Sequence, residues 1–186
     1  FIELQVARGV AFKDAVVQQS LGSTFSVLLS AGDGTFGTAG PYTTAAALTG
    51  LTVGQFTTDA NLDVLTANGT ANSLSVFPGN GLGSFLPRTD IALAAAPRQV
   101  LSGDLNDDGR TDLVVIYNAS STLSVYLGTG SGLGARTDLA LGGTPNAMAL
   151  ARITPDETLD LVLVGSAPAA LWLLPETRGL ELESIA

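Results

Sequence analysis

One aspartate recurs four times at nearly constant spacing, and this repeat constrains the fold more than any other feature. The four residues are Asp14, Asp63, Asp112 and Asp160, so successive copies stand 49, 49 and 48 residues apart. Each aspartate precedes a short apolar run, and a second strand-like segment lies at a constant offset of 12 residues from it. Two constant offsets in four copies indicate an internal repeat.

Each repeat contains four short strand-like segments separated by glycine-rich turns. In the third repeat, residues 113–116 form a continuous apolar run, which is typical of a strand covered on both faces. Residues 123–126 alternate more, so we expect that strand to lie nearer the rim. Glycine pairs, as in residues 32–34 and 128–130, suit hairpin turns with positive φ. The sequence therefore predicts strands and turns, with no helix.

Four strands in a unit of this length predict an all-β fold, a β-propeller built from four four-stranded antiparallel blades. The predicted domain covers residues 1–186, with repeats at about 1–48, 49–97, 98–146 and 147–186. A single blade cannot cover both of its own faces, so neighbouring blades must stack. The sequence leaves open whether the four blades form a closed ring or part of a larger propeller. A β-sandwich does not predict the constant period.

The amino-acid composition argues against several classes of function. The chain has no Cys and no His, which excludes disulfides, thiol nucleophiles, the usual zinc sites and His-based triads. Its formal net charge of −9 disfavours nucleic acid and anionic lipid as partners, but favours hard cations such as Ca²⁺. No segment approaches 18 consecutive apolar residues, so we expect no membrane insertion.

The sharpest motif is the loop that precedes the third repeated aspartate. Side-chain oxygens stand at alternate positions, on Asp104, Asn106 and Asp108, and the backbone carbonyl of Arg110 and the carboxylate of Asp112 continue the spacing. Alternate residues of a tight loop converge on one point, and Ca²⁺ takes 6–8 oxygen ligands. An EF-hand is disfavoured because a strand follows and no glutamate stands at its twelfth position. The spacing predicts a calcium site, and a self-bonded Asx turn is the alternative.

The corresponding loops of the first two repeats depart from this pattern. The second repeat keeps oxygen atoms at Gln55, Asp59 and Asp63 but lacks the glycine and part of the carboxylate set, so metal binding there stays open. In the first repeat Arg8 and two valines replace the ligands, and only Asp14 remains. We expect no metal in the first loop.

The fourth loop carries a cation at its first ligand position. We hypothesise that the guanidinium of Arg152 takes the place of Ca²⁺ and pairs with Asp156 and Asp160. All four repeats keep the last aspartate, even where the other ligands are lost. A carboxylate that caps backbone N–H groups of its loop explains this persistence better than metal binding does.

The calcium-type loop, the apolar strand after it and the segment Gly-Asp-Gly-Thr-Phe at residues 32–36 resemble FG-GAP/VCBS repeats. These repeats are the blades of integrin α-chain propellers and of many secreted bacterial proteins. The resemblance implies a propeller with Ca²⁺ in the loop between the first two strands of a blade. By matching positions, it assigns the ligands to Asp104, Asn106, Asp108, the Arg110 carbonyl and Asp112.

The resemblance also implies a function and a location. We expect an extracellular or cell-surface, calcium-binding module that binds a protein or glycan in adhesion. The alternatives are a structural scaffold subunit that self-associates or pairs with further blades, and, less favoured, a polysaccharide-active enzyme. No convergent set of catalytic residues stands out, so the enzyme reading is disfavoured. Trp172 could stack on a sugar, but packing is the simpler role.

Overall fold

The computed structural model describes residues 4–8, 13–18, 22–155, 158–166, 170–174 and 183–185. These residues form sixteen β-strands in four separate four-stranded antiparallel sheets, one for each repeat. Within every sheet the strands lie side by side in chain order, as in a meander. The prediction of an all-β fold with four four-stranded antiparallel blades is thereby confirmed. The chain divides into two compact units, Phe1–Ala96 and Pro97–Ala186.

The first unit contains the first and second sheets. The first sheet consists of β1 (Leu4–Arg8), β2 (Lys13–Gln18), β3 (Thr24–Ser30) and β4 (Phe36–Thr43). The second consists of β5 (Leu48–Gly54), β6 (Asp63–Asn68), β7 (Ser73–Phe77) and β8 (Thr89–Ala92). Residues 32–35 form the turn between β3 and β4, so the Gly-x-Gly pattern there belongs to a hairpin.

The second unit contains the third and fourth sheets. The third consists of β9 (Pro97–Gly103), β10 (Asp112–Tyr117), β11 (Thr122–Thr129) and β12 (Gly132–Ala140). The fourth consists of β13 (Thr144–Ala151), β14 (Asp160–Ser166), β15 (Ala170–Leu174) and β16 (Glu183–Ile185). In all four sheets the repeated aspartate is at or next to the start of the second strand, directly after the loop from the first strand.

Each unit has an apolar core to which its two sheets both contribute. In the first unit the core includes Val16, Phe25, Val64 and Phe77, and the ring of Phe25 lies 4.9 Å from that of Phe77 in an edge-to-face arrangement. In the second unit alternate residues of β10 pack with alternate residues of β14; the members include Val114, Ile116, Leu161, Leu163 and Trp172. Apolar residues alternating on facing strands therefore hold neighbouring blades together within each unit.

Side-chain amides also connect the two sheets of the second unit. The amide of Gln99 on β9 donates to the carbonyl of Met148 on β13 and accepts from the N–H of Met148, both at 3.0 Å. The guanidinium of Arg98 donates to the carbonyl of Asn146 at 2.7 Å. The Gln99 side chain thus bonds to β13 as a backbone peptide group would. These bonds fix the spacing between β9 and β13, the first strands of the third and fourth sheets.

All four side chains of residues 123–126 on β11 are buried, as are those of β10, so the alternation of polar residues there does not reflect exposure to solvent. The polar member is satisfied inside the sheet: the Ser124 hydroxyl lies 2.6 Å from the Tyr117 hydroxyl and donates to the Asp138 carboxylate at 2.6 Å. Burial raises the pKa of Tyr117, so this phenol stays neutral and structural.

Candidate metal centre

The repeated aspartate joins a loop to the end of the third strand at one end of its sheet. The Asp112 carboxylate accepts the Leu105 N–H, seven residues earlier, at 2.8 Å and the Gly128 N–H, sixteen residues later, at 2.6 Å. Asp63 makes the same two contacts at the same offsets, to the N–H groups of Phe56 at 2.8 Å and Gly79 at 2.9 Å. The loop between the first two strands and the end of the third strand are thereby held together.

The other two copies keep part of this arrangement. Asp14 accepts the Ser30 N–H, again sixteen residues later, at 2.9 Å. Asp160 accepts the N–H of Ile153, seven residues earlier, at 2.6 Å and that of Thr154 at 2.9 Å. Asp63, Asp112 and Asp160 are fully buried. The prediction that the carboxylate caps loop N–H groups is confirmed, and the contact sixteen residues later, which the sequence analysis missed, adds a second anchor.

The predicted calcium loop is a tight turn in which side-chain oxygens surround one backbone amide. The Asp104 carboxylate accepts the Asp108 N–H at 3.0 Å and the Gly109 N–H at 2.8 Å. The Asn106 side-chain oxygen accepts the same Asp108 N–H at 3.2 Å. Gly109 has a φ of 79°, and no atom lies within 4 Å of where a Cβ would stand, so its backbone conformation is what requires glycine.

Asp108 is bound to its own neighbour. Its carboxylate accepts the Arg110 N–H at 2.9 Å, and the Arg110 guanidinium lies 3.1 Å away as an exposed ion pair. Burial acts to raise the pKa of Asp108, but the hydrogen bonds from Arg110 and Asn106 and the charge of Arg110 hold it below its usual value. Asp108 is therefore an ionised carboxylate at neutral pH.

The negative charge of the loop acts on the Asp112 carboxylate. Burial is the largest cause that raises its pKa; the Gly128 and Leu105 N–H groups act in the opposite direction, and repulsion from Asp108 and Asp104 raises it further. Three carboxylates thus share one electrostatic environment. Among the described residues, no three His, Cys, Asp or Glu side chains lie close enough together to hold a metal ion. The Asp104 and Asp108 carboxylates bind loop N–H groups instead.

The loop of the second repeat closes by a different contact. Gln55 stands where Asp104 does in the third repeat, and its side-chain amide donates to the Ala60 carbonyl at 2.9 Å. A donor therefore replaces an acceptor at the first ligand position. Asp59 accepts the Asn61 N–H at 2.9 Å, as an ordinary Asx turn does. The loop of the second repeat is therefore closed by its own hydrogen bonds. The third loop offers more acceptor oxygens for a cation, because Asp104 stands where the second loop has Gln55.

The hypothesis for Arg152 is wrong with respect to Asp160. Arg152 is exposed, and no ion pair joins it to Asp160 among the described residues. The Asp160 carboxylate is taken by N–H groups and by the Thr154 hydroxyl at 3.0 Å. A carboxylate saturated by backbone donors needs no buried cation, whose desolvation would be costly. Asp156, the other suggested partner, lies outside the described residues, as does Val10 of the first loop.

A second repeated polar network was not found from the sequence. Arg88-Thr-Asp90 on and before β8 corresponds to Arg136-Thr-Asp138 on β12, and in each case arginine pairs with aspartate at 3.1 Å. The aspartate also accepts a hydrogen bond from a buried serine, Ser75 or Ser124, at 2.6 Å. The repeated Arg-Thr-Asp triplet was the available signal. These contacts join the third and fourth strands and serve the fold.

Trp172 is not available to stack on a sugar. Its side chain is buried in the core of the second unit, against the backbone of Gly165. Within the described residues no helix has the length and apolarity to cross a membrane.

Repeated four-stranded antiparallel blades, each with an aspartate at the same position that bonds the first loop, the end of the third strand or both, define a β-propeller protein. The family model of the FG-GAP-like repeat matches residues 55–115 and 104–163, which together are more than half of the 186 residues. The chain belongs to the FG-GAP-like repeat family. No curated protein sequence matches the chain.

Solved structures show the same fold. The chain is similar to BBS1N, crystallised in complex with ARL6DN, at 16% identity and a TM-score of 0.67, with 97% of this chain and 53% of that chain covered. A protein of unknown function from Bacteroides caccae matches at 16% identity and a TM-score of 0.57, covering 99% and 61%. Hydrazine synthase of Kuenenia stuttgartiensis matches at 12% identity and a TM-score of 0.53, covering 92% and 53%. The chain thus spans between half and two thirds of their lengths.

Proposed function

We propose that this chain is an extracellular binding module of the β-propeller class whose loop at residues 104–112 takes Ca²⁺. The observation that carries the proposal is the convergence of Asp104 and Asn106 oxygens on the Asp108 amide, with Asp108 and the buried Asp112 adjoining. Asp104, Asn106, Asp108, the Arg110 carbonyl and Asp112 would hold the ion. A bound cation would neutralise the repulsion that raises the pKa of Asp112.

The existing contacts are compatible with that role. A carboxylate oxygen has two lone pairs, so Asp112 can keep its backbone partners and still offer a ligand. Asp104 and Asp108 are held only by local bonds at the surface, which exposed side chains exchange for a cation at small cost. Loop closure by Ca²⁺ would stiffen the end of the sheet that Asp112 anchors, and rigid loops bind ligands at a lower entropic cost.

We propose protein or glycan as the ligand class, on the strength of the fold and the acidic net charge of −9. Propellers present loop-rich faces that bind partners, and among the structural neighbours BBS1N is described in complex with ARL6DN. We assign no catalytic role, because the polar networks identified in the described residues have structural partners. A scaffold subunit that pairs with further blades is the second candidate; exposed Val164 and Leu171, paired across β14 and β15, favour it.

Calcium titration calorimetry tests the metal proposal. We expect the wild-type chain to bind one Ca²⁺ in the third loop, and Asp104→Asn to weaken binding by at least tenfold, because the variant removes a charged ligand. Asp59→Asn is the matched control, since it makes the same charge change in the second loop and should leave that affinity unchanged. Equal losses in both variants would indicate nonspecific attraction of the acidic surface, and absence of heat in the wild type would refute the site.

A further inference from the structure

A cleft of about 250 Å³ lies within the first unit, between the first and second sheets. Its walls are apolar and include Val16, Val27, Leu29, Val64 and Phe85. Polar groups also line it, from Asp14, Asn61 and Ser84. The volume is below the roughly 300–1,000 Å³ of drug-sized ligand pockets, so the space suits one side chain or a ligand of that size.

Asp14 differs from its counterparts in the second and third sheets. Asp63 and Asp112 each use both carboxylate oxygens for backbone N–H groups, whereas Asp14 accepts only the Ser30 N–H, through Oδ1. No other residue in the described part of the chain donates a hydrogen bond to Asp14. Within the described residues, Asp14 Oδ2 beside the apolar cleft accepts no hydrogen bond, and the side-chain amide of Asn61 makes none.

The rim of the cleft carries exposed apolar side chains on a well-bonded loop. Leu82 is 84% exposed and Leu86 is 53% exposed, and both adjoin lining residues of the loop 78–86. The Asn80 side chain fixes this loop by accepting the Leu82 N–H at 2.9 Å and the Ser84 N–H at 3.2 Å. Leu82 and Leu86 thus add exposed apolar area next to the cleft, which the chain of a partner could cover.

We propose that this cleft binds the side chain of a lysine presented by a partner protein, with Leu82 and Leu86 in contact with the partner's chain. The four-carbon stem would pack on the valines and Leu29, and the ammonium would donate to Asp14 Oδ2 and to the Asn61 oxygen. A lysine needs only one carboxylate oxygen, whereas the two-bond geometry that arginine prefers would make Oδ1 share its acceptor capacity with the Ser30 N–H. A net charge of −9 also favours a cationic partner. The cleft belongs to the other compact unit and does not depend on the calcium loop.

Methyl-detected NMR titration tests the chemistry of the cleft with three five-carbon probes: pentylammonium, pentanol and pentanoate. We expect pentylammonium to shift the Val16, Val27 and Val64 methyl signals saturably, and to bind at least fivefold more tightly than either other probe. Asp14→Asn should weaken pentylammonium binding by about tenfold. Asp33→Asn, an equal charge change at an exposed turn outside the cleft, should not. The titration is repeated with EGTA, which should change nothing, so that failure of the calcium proposal is distinguished from failure here.

A second titration, with a peptide as the ligand, tests whether the lysine comes from a partner chain. Acetyl-Leu-Lys-Leu-amide should bind more tightly than pentylammonium and more tightly than the same peptide with norleucine for lysine. Leu82→Ser should weaken the peptide but leave pentylammonium unaffected. Equal binding of pentylammonium and pentanol, or no saturable shift, would overturn the cleft proposal; this comparison uses the wild type and holds even if Asp14→Asn fails to fold. A peptide indifferent to Leu82→Ser would overturn the partner-protein assignment in favour of a free amine.

Discussion

Replacing Asp112 by alanine is expected to lower the free energy of unfolding by about 3 kcal/mol, because two buried N–H groups lose their acceptor at once. The donors are Leu105, in the loop between β9 and β10, and Gly128, near the end of β11. Asp112 itself is fully buried, so water does not readily replace the carboxylate. The effect should be present without calcium, since the anchor consists of hydrogen bonds within the chain.

Urea unfolding in EGTA, and again in Ca²⁺, measures this loss, with the wild type and Asp33→Ala as references. Asp33 is exposed and its carboxylate serves a local turn with Thr35, so we expect less than about 0.5 kcal/mol from its removal. If Asp112→Ala matches Asp33→Ala, the repeated aspartate is not a structural anchor. A loss that appears only when calcium is present would show that metal binding explains the repeat.

Gly128→Ala should destabilise the chain by about 1–3 kcal/mol, as overpacking in a closed space does. A Cβ at this position would stand 2.6 Å from the Thr111 carbonyl oxygen and 2.9 Å from the Arg110 Cβ. The same close approach occurs in the second sheet, where a Cβ on Gly79 would meet the Leu62 carbonyl. In these two sheets, glycine sixteen residues after the aspartate lets the third strand come near the loop, whereas Ser30 makes the same contact to Asp14 in the first sheet.

Gly130→Ala is the control that the chain provides for this prediction. Gly130 lies two residues further along, in the turn after β11, and no atom lies within 4 Å of its Cβ position. We expect its thermal midpoint to equal that of the wild type within about 2 °C. If both variants lose the same stability, the contact at Thr111 does not determine the cost.

The strands were predictable because their signals are local. Continuous apolar runs such as residues 113–116 identify the central strands, because such runs are typical of strands covered on both faces. Glycine pairs mark the turns. The aspartate persists at Asp63 and Asp160 even where the other loop ligands are lost, which pointed to a backbone cap, and the structure confirms it. In each case the decisive partner lies in the same repeat, at a short distance along the chain.

The polar contacts that sequence reasoning missed depend on cross-strand register. Ser124 lies opposite Asp138, and Ser75 lies opposite Asp90, so their bonds follow from pairing between third and fourth strands. The sequence does not show which residues stand opposite one another until the hairpin length is known. The hypothesis for Arg152 was wrong for a similar reason. The fold brings backbone N–H groups to the Asp160 carboxylate, so this carboxylate needs no cation.

Thermal unfolding in Ca²⁺ and in EGTA, on the wild type and on Asp108→Asn, tests the central claim most directly. Ligand bound at 100 times its dissociation constant stabilises a protein by about 2.7 kcal/mol. The account predicts a higher midpoint for the wild type in Ca²⁺ than in EGTA, and no such difference for Asp108→Asn. Equal midpoints for the wild type in both buffers would contradict it, and would leave residues 104–112 as a metal-free turn.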